Sequence, residues 1–166
     1  NPIHEGTTGI QAMDLVGRKL RKDKAASYGL LLRKVHATIE AARAVPDLQA
    51  DARALDAVWT QITAAVDMLV DEPDDAAAIA NATPFLFAFG HAILGWLWLD
   101  MANVCAQKRQ QGADKSDTSY YDGKLRACRY FVDFELPKIA AWLAPVMAKT
   151  DVAAAMDVEA FLGGAA

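Results

Sequence analysis

Apolar residues along this chain recur every three to four positions, the period of a helix with one buried face, and no run of β-branched residues bounded by hairpin turn pairs interrupts them. Ile10, Met13, Val16 and Leu20 form one such stripe, with Asp14 and Arg18 as an i,i+4 pair on the polar side, and predict a first helix over Thr8 to Lys22. A second helix, Ala25 to Ala44, places Leu31, Leu32, Val35 and Ile39 together and ends at Val45-Pro46-Asp47. The third pattern is the most regular. Leu48, Ala52, Leu55, Trp59, Ile62, Val66 and Leu69 alternate by four and three, the seam of an antiparallel bundle, until Pro73 stops it inside the acidic turn Asp71 to Asp75.

The next helix starts near Asp75, kinks or restarts at Thr83-Pro84, and runs to about Gln111. With Phe85, Phe87, Phe89, Trp96 and Trp98 it is apolar nearly all round, which predicts a helix surrounded by others at the centre of the bundle. A polar turn over Gln110 to Thr118, with an N-cap at its end, leads into the last long helix. There Leu125, Cys128, Val132, Leu136, Ile139, Leu143 and Val146 keep one register through Pro137, so a kinked single helix is expected; Asp157 to Leu162 reads as a short final turn. The predicted fold class is all-α, an antiparallel helical bundle.

A chain of 166 residues that is 54% hydrophobic and 23% charged can bury a real core, which excludes a disordered class. The net charge of −4 provides no basic field for phosphates, so no nucleic-acid partner is expected. Pro84 to Leu99, the most apolar run, is shorter than the roughly 20 residues that span a bilayer, contains His91 and stops at Asp100, so no membrane span is expected. Cys105 and Cys128 sit in apolar helical patterns without metal or redox spacing and read as reduced structural thiols of a cytoplasmic protein, a disulfide between them remaining open. His36 and His91 have no partner at metal-ligand spacing and no Glu-x-x-His pair occurs, so no metal site is expected. The chain opens Asn1-Pro2-Ile3, with neither an initiator methionine nor a signal pattern, and reads as part of something longer.

Chemistry concentrates at the start, where His4-Glu5-Gly6-Thr7-Thr8-Gly9-Ile10-Gln11 runs straight into the first helix. Small residues beside Glu5 admit another body close to the backbone, Thr7 or Thr8 can cap the helix, and unpaired first-turn amides suit an anion such as a cofactor pyrophosphate. On local chemistry alone, the favoured reading of Glu5 is a solvated carboxylate stabilised by the helix dipole.

Ile3-His4-Glu5-Gly6-Thr7-Thr8-Gly9-Ile10-Gln11, continuing Asp14-Leu15-Val16-Gly17-Arg18-Lys19, resembles the Tyr-Glu-Gly-Thr-x-x-Ile-Gln segment of the acyl-CoA dehydrogenases, departing from it at His4, where tyrosine is usual. The resemblance implies that Glu5 is the catalytic base, removing the α-proton of an acyl-CoA thioester while FAD takes hydride from the β-carbon. It implies too that the Glu5 backbone N–H helps hold the thioester oxygen, that Gly6 lies against substrate, and that Thr7, Thr8 and Gly9 lie against FAD. From Lys24 onward the chain resembles the extra helical domain of one bacterial subfamily that includes methylthiopropanoyl-CoA dehydrogenase. The expected organisation is thus residues 1–22 as the end of the dehydrogenase's own helical domain and residues 24–162 as an appended bundle. The implied partners are an acyl-CoA substrate, an electron-transfer acceptor and further copies of the chain in a homo-oligomer, with FAD held by the complete enzyme and this chain inactive by itself. The competing reading is a free-standing helical interaction module.

Overall fold

The computed structural model describes residues 6–112, 114–157, 159 and 162. Helix α1 (Thr7–Met13) continues without a break into a π-helical stretch, Asp14–Lys22. After a tight turn in which Lys24 and Ala25 take positive φ, α2 (Ala26–Arg43) leads through the 3-10 turn Pro46–Leu48 to α3 (Gln49–Asp71). The short α4 (Asp75–Ile79) precedes α5 (Ala82–Gln110), so the chain restarts just before Pro84 and does not kink there. Helix α6 (Lys115–Tyr130), a second π-helical stretch (Phe131–Glu135) and α7 (Lys138–Met147) complete the order. No strand occurs among the described residues.

Cross-helix pairs define the directions. Arg43–Asp56 and Tyr28–Thr63 make α2 antiparallel to α3. Tyr28–Phe89 and Thr38–Asp100 make α2 parallel to α5. His91–Glu135 and Phe87–Trp142 make α5 antiparallel to the α6–α7 rod, which itself runs parallel to α3 through Arg129–Asp51 and Lys149–Glu72. The result is an up-down-up-down four-helix bundle, with α1 laid against one end.

The heptad seam read in α3 is buried along its whole length, from Leu48 through Leu55, Trp59, Ile62 and Val66 to Leu69. It packs on the Phe85, Ala88, Ala92, Leu99 and Ala102 face of α5 in one continuous core. At the crossing, α5 carries Gly95. A Cβ placed there would come within 2.7 Å of a Leu136 methyl and 3.0 Å of a Leu55 methyl, so only glycine lets three helices meet this closely. Rings close the α2 side, where Trp59, Phe89, Tyr28 and Phe85 stack or meet edge-on at centroid distances of 5.8 to 6.4 Å. Polar groups reach one another across the same seam: Trp96 Nε1 donates to Thr38 Oγ1 at 2.9 Å, and Asn103 Nδ2 to the Thr38 carbonyl at 3.0 Å.

Four expectations are corrected. In the first helix Ala12, Val16 and Leu20 are buried while Ile10 and Met13 are exposed; the wider π turn suits apolar residues spaced by four, not by three. The cap of α6 is Asp114, near the middle of the polar turn, whose carboxylate accepts from Asp117 N–H at 2.9 Å. The last helix bends through its π-helical stretch just before Pro137, which absorbs the proline while Leu125 to Val146 hold their register. Finally, α5 is not surrounded: one apolar face stays exposed. At 29 residues it is also the one described helix long and apolar enough to cross a membrane, although it packs against α1, α2, α3, α6 and α7 as a core helix does.

Gly95→Ala is expected to lower stability by about 1–2 kcal/mol in denaturant unfolding, since displacing two packed leucines outweighs the helix-propensity gain of about 1 kcal/mol.

Candidate functional site

Of the residues singled out in the sequence, Glu5 lies outside the described residues, whereas Gly6, Thr7, Thr8 and Gly9 come together at the start of α1. Gly6 is the N-cap, with φ −63° and ψ −11°, and no side chain caps the first turn. That turn contains no acidic residue, and a Cβ at Gly6 or Gly9 would meet nothing within 4 Å. Among the described residues, nothing at this turn opposes an anionic group sterically or by like charge.

From there the exposed side of the first helix forms the wall of an open groove of about 670 Å³, lined by Ile10, Met13, Gly17, Val70 and Ile79 with Arg18, Lys22 and Asp75 at its edges. Arg21 fixes this wall to the bundle. Its Nη1 donates to the carbonyls of Leu69 and Glu72, both at 2.6 Å, and Nη2 to Asp75 Oδ1 at 2.6 Å. The carbonyls belong to the end of α3, where helix geometry leaves acceptors without intrahelical donors, and a forked guanidinium satisfies two at once. Glu72 also receives Lys149 Nζ at 2.6 Å from beyond α7, so one corner ties the π-helical stretch Asp14–Lys22, α3, α4 and the end of the last helix together. Lys149, with a smaller contribution from the Asp74 N–H, holds the Glu72 carboxyl below the usual carboxylate range. Along the first helix, Arg18 likewise lowers Asp14 through the predicted i,i+4 pair, Nη2 to Oδ2 at 2.9 Å.

Two further polar clusters escaped sequence reasoning because their members lie far apart in the chain. Asp51 is buried at the start of α3, with Arg129 Nε 3.1 Å from its carboxylate; burial raises the Asp51 pKa and Arg129 opposes the rise. Arg129 therefore has a buried partner, although its own side chain is 43% exposed. His91 stacks edge-on against Trp142 at 4.5 Å and lies 3.3 Å from Glu135, which Lys138 also contacts at 2.7 Å. Neither cluster forms a metal site, and no group of three ligating side chains occurs among the described residues. Cys105 and Cys128 are both free and buried; burial first, and then the Asp51 charge, push the Cys128 thiol up to about 12. Both behave as packing groups.

The family model described as acetyl-CoA dehydrogenase C-terminal like matches residues 31–157, and the chain belongs to that family. It is 26% identical over 147 residues to a broad-specificity linear acyl-CoA dehydrogenase of Mycobacterium tuberculosis, covering 84% of this chain and 24% of the relative. With the 3-methylmercaptopropionyl-CoA dehydrogenase of Ruegeria pomeroyi it shares 29% identity over 143 residues, 84% of this chain and 24% of the relative. A butyryl-CoA dehydrogenase of Syntrophomonas wolfei subsp. wolfei is 26% identical over 140 residues, 82% of this chain and 23% of the relative. The chain thus spans about a quarter of the length of the curated relatives it matches.

Arg21→Met is expected to cost about 2 kcal/mol of unfolding free energy, since it strands the two carbonyls at the end of α3, whereas the exposed Asp75 carboxylate returns to water. The depressed Glu72 pKa contributes stability above the ordinary carboxylate range that is lost as pH falls through the folded-state value. Between about pH 6 and pH 3, Glu72→Gln should therefore lose less of its melting temperature than the parent chain. An equal loss in both would remove the Lys149–Glu72 contact from the acid response. Ellman's reagent should label no thiol in the native protein and two in denaturant.

Proposed function

We propose that this chain is the C-terminal helical part of an FAD-dependent acyl-CoA dehydrogenase that introduces a double bond between the α- and β-carbons of an acyl-CoA thioester. The observation carrying this reading is continuity: the Glu5-Gly6-Thr7-Thr8-Gly9-Ile10-Gln11 segment leads into the helix that packs on the bundle matched by the family model. All three dehydrogenase relatives point the same way.

In this reading residues 1–22 finish the dehydrogenase's own helical domain and residues 24–162 form the appended bundle. Glu5 accepts the α-proton, and an apolar, water-poor setting makes its carboxylate a stronger base than it is in water. The Glu5 backbone N–H donates to the thioester oxygen as negative charge builds there, which acidifies the α-carbon. Gly6, lacking a side chain, leaves room for the acyl thioester, and Thr7, Thr8 and Gly9 present amides and hydroxyls to the cofactor. FAD, when bound, supplies the hydride acceptor, and an electron-transfer acceptor reoxidises it. The Arg21 clamp holds the helix that follows Glu5, so it is a positioning residue. Three quarters of a dehydrogenase of the relatives' length lies beyond these residues, so they do not catalyse by themselves.

In the complete enzyme, Glu5→Gln is expected to retain flavin while slowing its reduction by acyl-CoA about 10²–10⁴-fold, the range of a lost general base. Reduction at a near-normal rate would remove Glu5 from the mechanism. The isolated chain should purify colourless and leave acyl-CoA unchanged; a yellow, active 166-residue protein would overturn the division of labour proposed here.

A further inference from the structure

Of the groups that Arg21 grips, the Leu69 carbonyl belongs to α3, whereas the Glu72 carbonyl and the Asp75 carboxylate belong to the connection that follows it. That connection does not hold itself. Glu72 is extended at the end of α3, and α4, five residues long, is too short to be stable alone. The turn after α7 brackets it at both ends: Lys149 Nζ donates to Glu72 Oε2 at 2.6 Å, and Asn81 Nδ2 donates to the Thr150 carbonyl at 2.7 Å. Glu72 Oε1 also accepts from the Asp74 N–H at 3.3 Å, and Asp74 caps α4 by accepting from the Ala76 N–H at 2.9 Å. The bracketing turn carries a residue ill suited to its backbone. Thr150 N–H donates to the Pro145 carbonyl at 3.1 Å and Lys149 N–H to the Val146 carbonyl at 3.0 Å, the paired closure of a Schellman cap. Its left-handed position ordinarily takes glycine, yet Lys149 occupies it with φ +50°. That strain is held by the contact of its ammonium with Glu72, whose side chain is only 14% exposed.

We propose that Lys149 is a remote positioning residue for Glu5, acting through Glu72 and Arg21 on the helix that begins just after the glutamate. The inference rests on the dehydrogenase reading and extends it to the far end of the bundle. From Thr7 to Lys22 the first helix is continuous but packed on one side only: Ala12, Val16 and Leu20 are buried, while Ile10 and Met13 are exposed. Apolar burial is non-directional, so it does not fix how far a half-packed helix slides along its neighbours; hydrogen bonds of defined geometry do. Arg21 makes such bonds, and Lys149 fixes the connection that supplies two of its three acceptors. Loosening that connection lets the helix shift as a rod, and the loop before Gly6 moves with it.

Lys149→Gly separates a positioning role from a merely structural one, because it relieves the backbone while removing the ammonium. In the 166-residue chain the melting temperature should stay at or above the parent's, yet amide hydrogen exchange over residues 7–22 should rise about threefold, the scale of one partly exposed ion pair. Lys149→Arg, which keeps the cation, should exchange like the parent. In the complete enzyme, Lys149→Gly should slow flavin reduction at saturating acyl-CoA by about two- to fivefold without changing the acyl-CoA concentration that gives half the maximal rate. Arg43→Met, which breaks an ion pair between α2 and α3, should leave that reduction unchanged. Exchange over residues 7–22 equal to the parent's in Lys149→Gly overturns the coupling, and faster exchange with an unchanged reduction rate overturns its link to catalysis. A complete enzyme without flavin, or one reduced normally after Glu5→Gln, overturns the dehydrogenase reading instead, and the exchange measurement still decides whether Lys149 fastens the first helix.

Discussion

A helix that is apolar on every side has to be covered on every side, and α5 is such a helix. Its Phe85, Ala88, Ala92, Leu99 and Ala102 face takes the heptad seam of α3, and Gly95 marks the point where Leu55 and Leu136 press against its backbone. The other long helices follow from this demand. Helix α2 contributes Tyr28 to the ring cluster around Trp59 and Phe89, the α6–α7 rod lays Trp142 against Phe87 and His91, and the face left over is apolar still. The bundle is thus organised around the solvation cost of one element, and its unfinished side is where a further body gains most by binding.

Polar groups in this core occur where they locate helices relative to one another. Thr38 joins Trp96 and Asn103, so α2 cannot slide along α5 without stranding buried donors. Arg21 does the same for the first helix, gripping carbonyls that α3 leaves unpaired at its end. That second contact has functional weight, because the helix it immobilises is the one that begins at Gly6, immediately after the glutamate to which the dehydrogenase reading assigns proton transfer. The bundle thus serves as a rigid support for the first helix.

Much of this was legible in one dimension because helix burial is periodic. The α3 seam from Leu48 to Leu69, the i,i+4 pair of Asp14 and Arg18, the break at Pro73 and the register of Leu125 to Val146 all depend on neighbours within about one or two turns, and residue order alone specifies those. The candidate chemistry was legible for a different reason. Small residues in a fixed order beside a glutamate are a short-range pattern, so the run from Glu5 to Gln11 reads as a motif without reference to the rest of the fold.

What the sequence determined by itself was therefore the class, all-α, and the seams. Only the tertiary structure decided which apolar faces meet. Ile10 and Met13 belong by periodicity to the stripe of Val16 and Leu20, yet they are exposed and line the groove. Phe87, Leu94, Leu97, Met101 and Val104 are as apolar as the buried face of the same helix, yet they stay 38–52% exposed. Asp51 with Arg129 and Arg21 with the end of α3 pair residues dozens of positions apart. The physical reason is common to all of these: hydrophobicity states how much surface must leave water but not what will cover it, and that choice is made by the geometry of helices packing together in three dimensions.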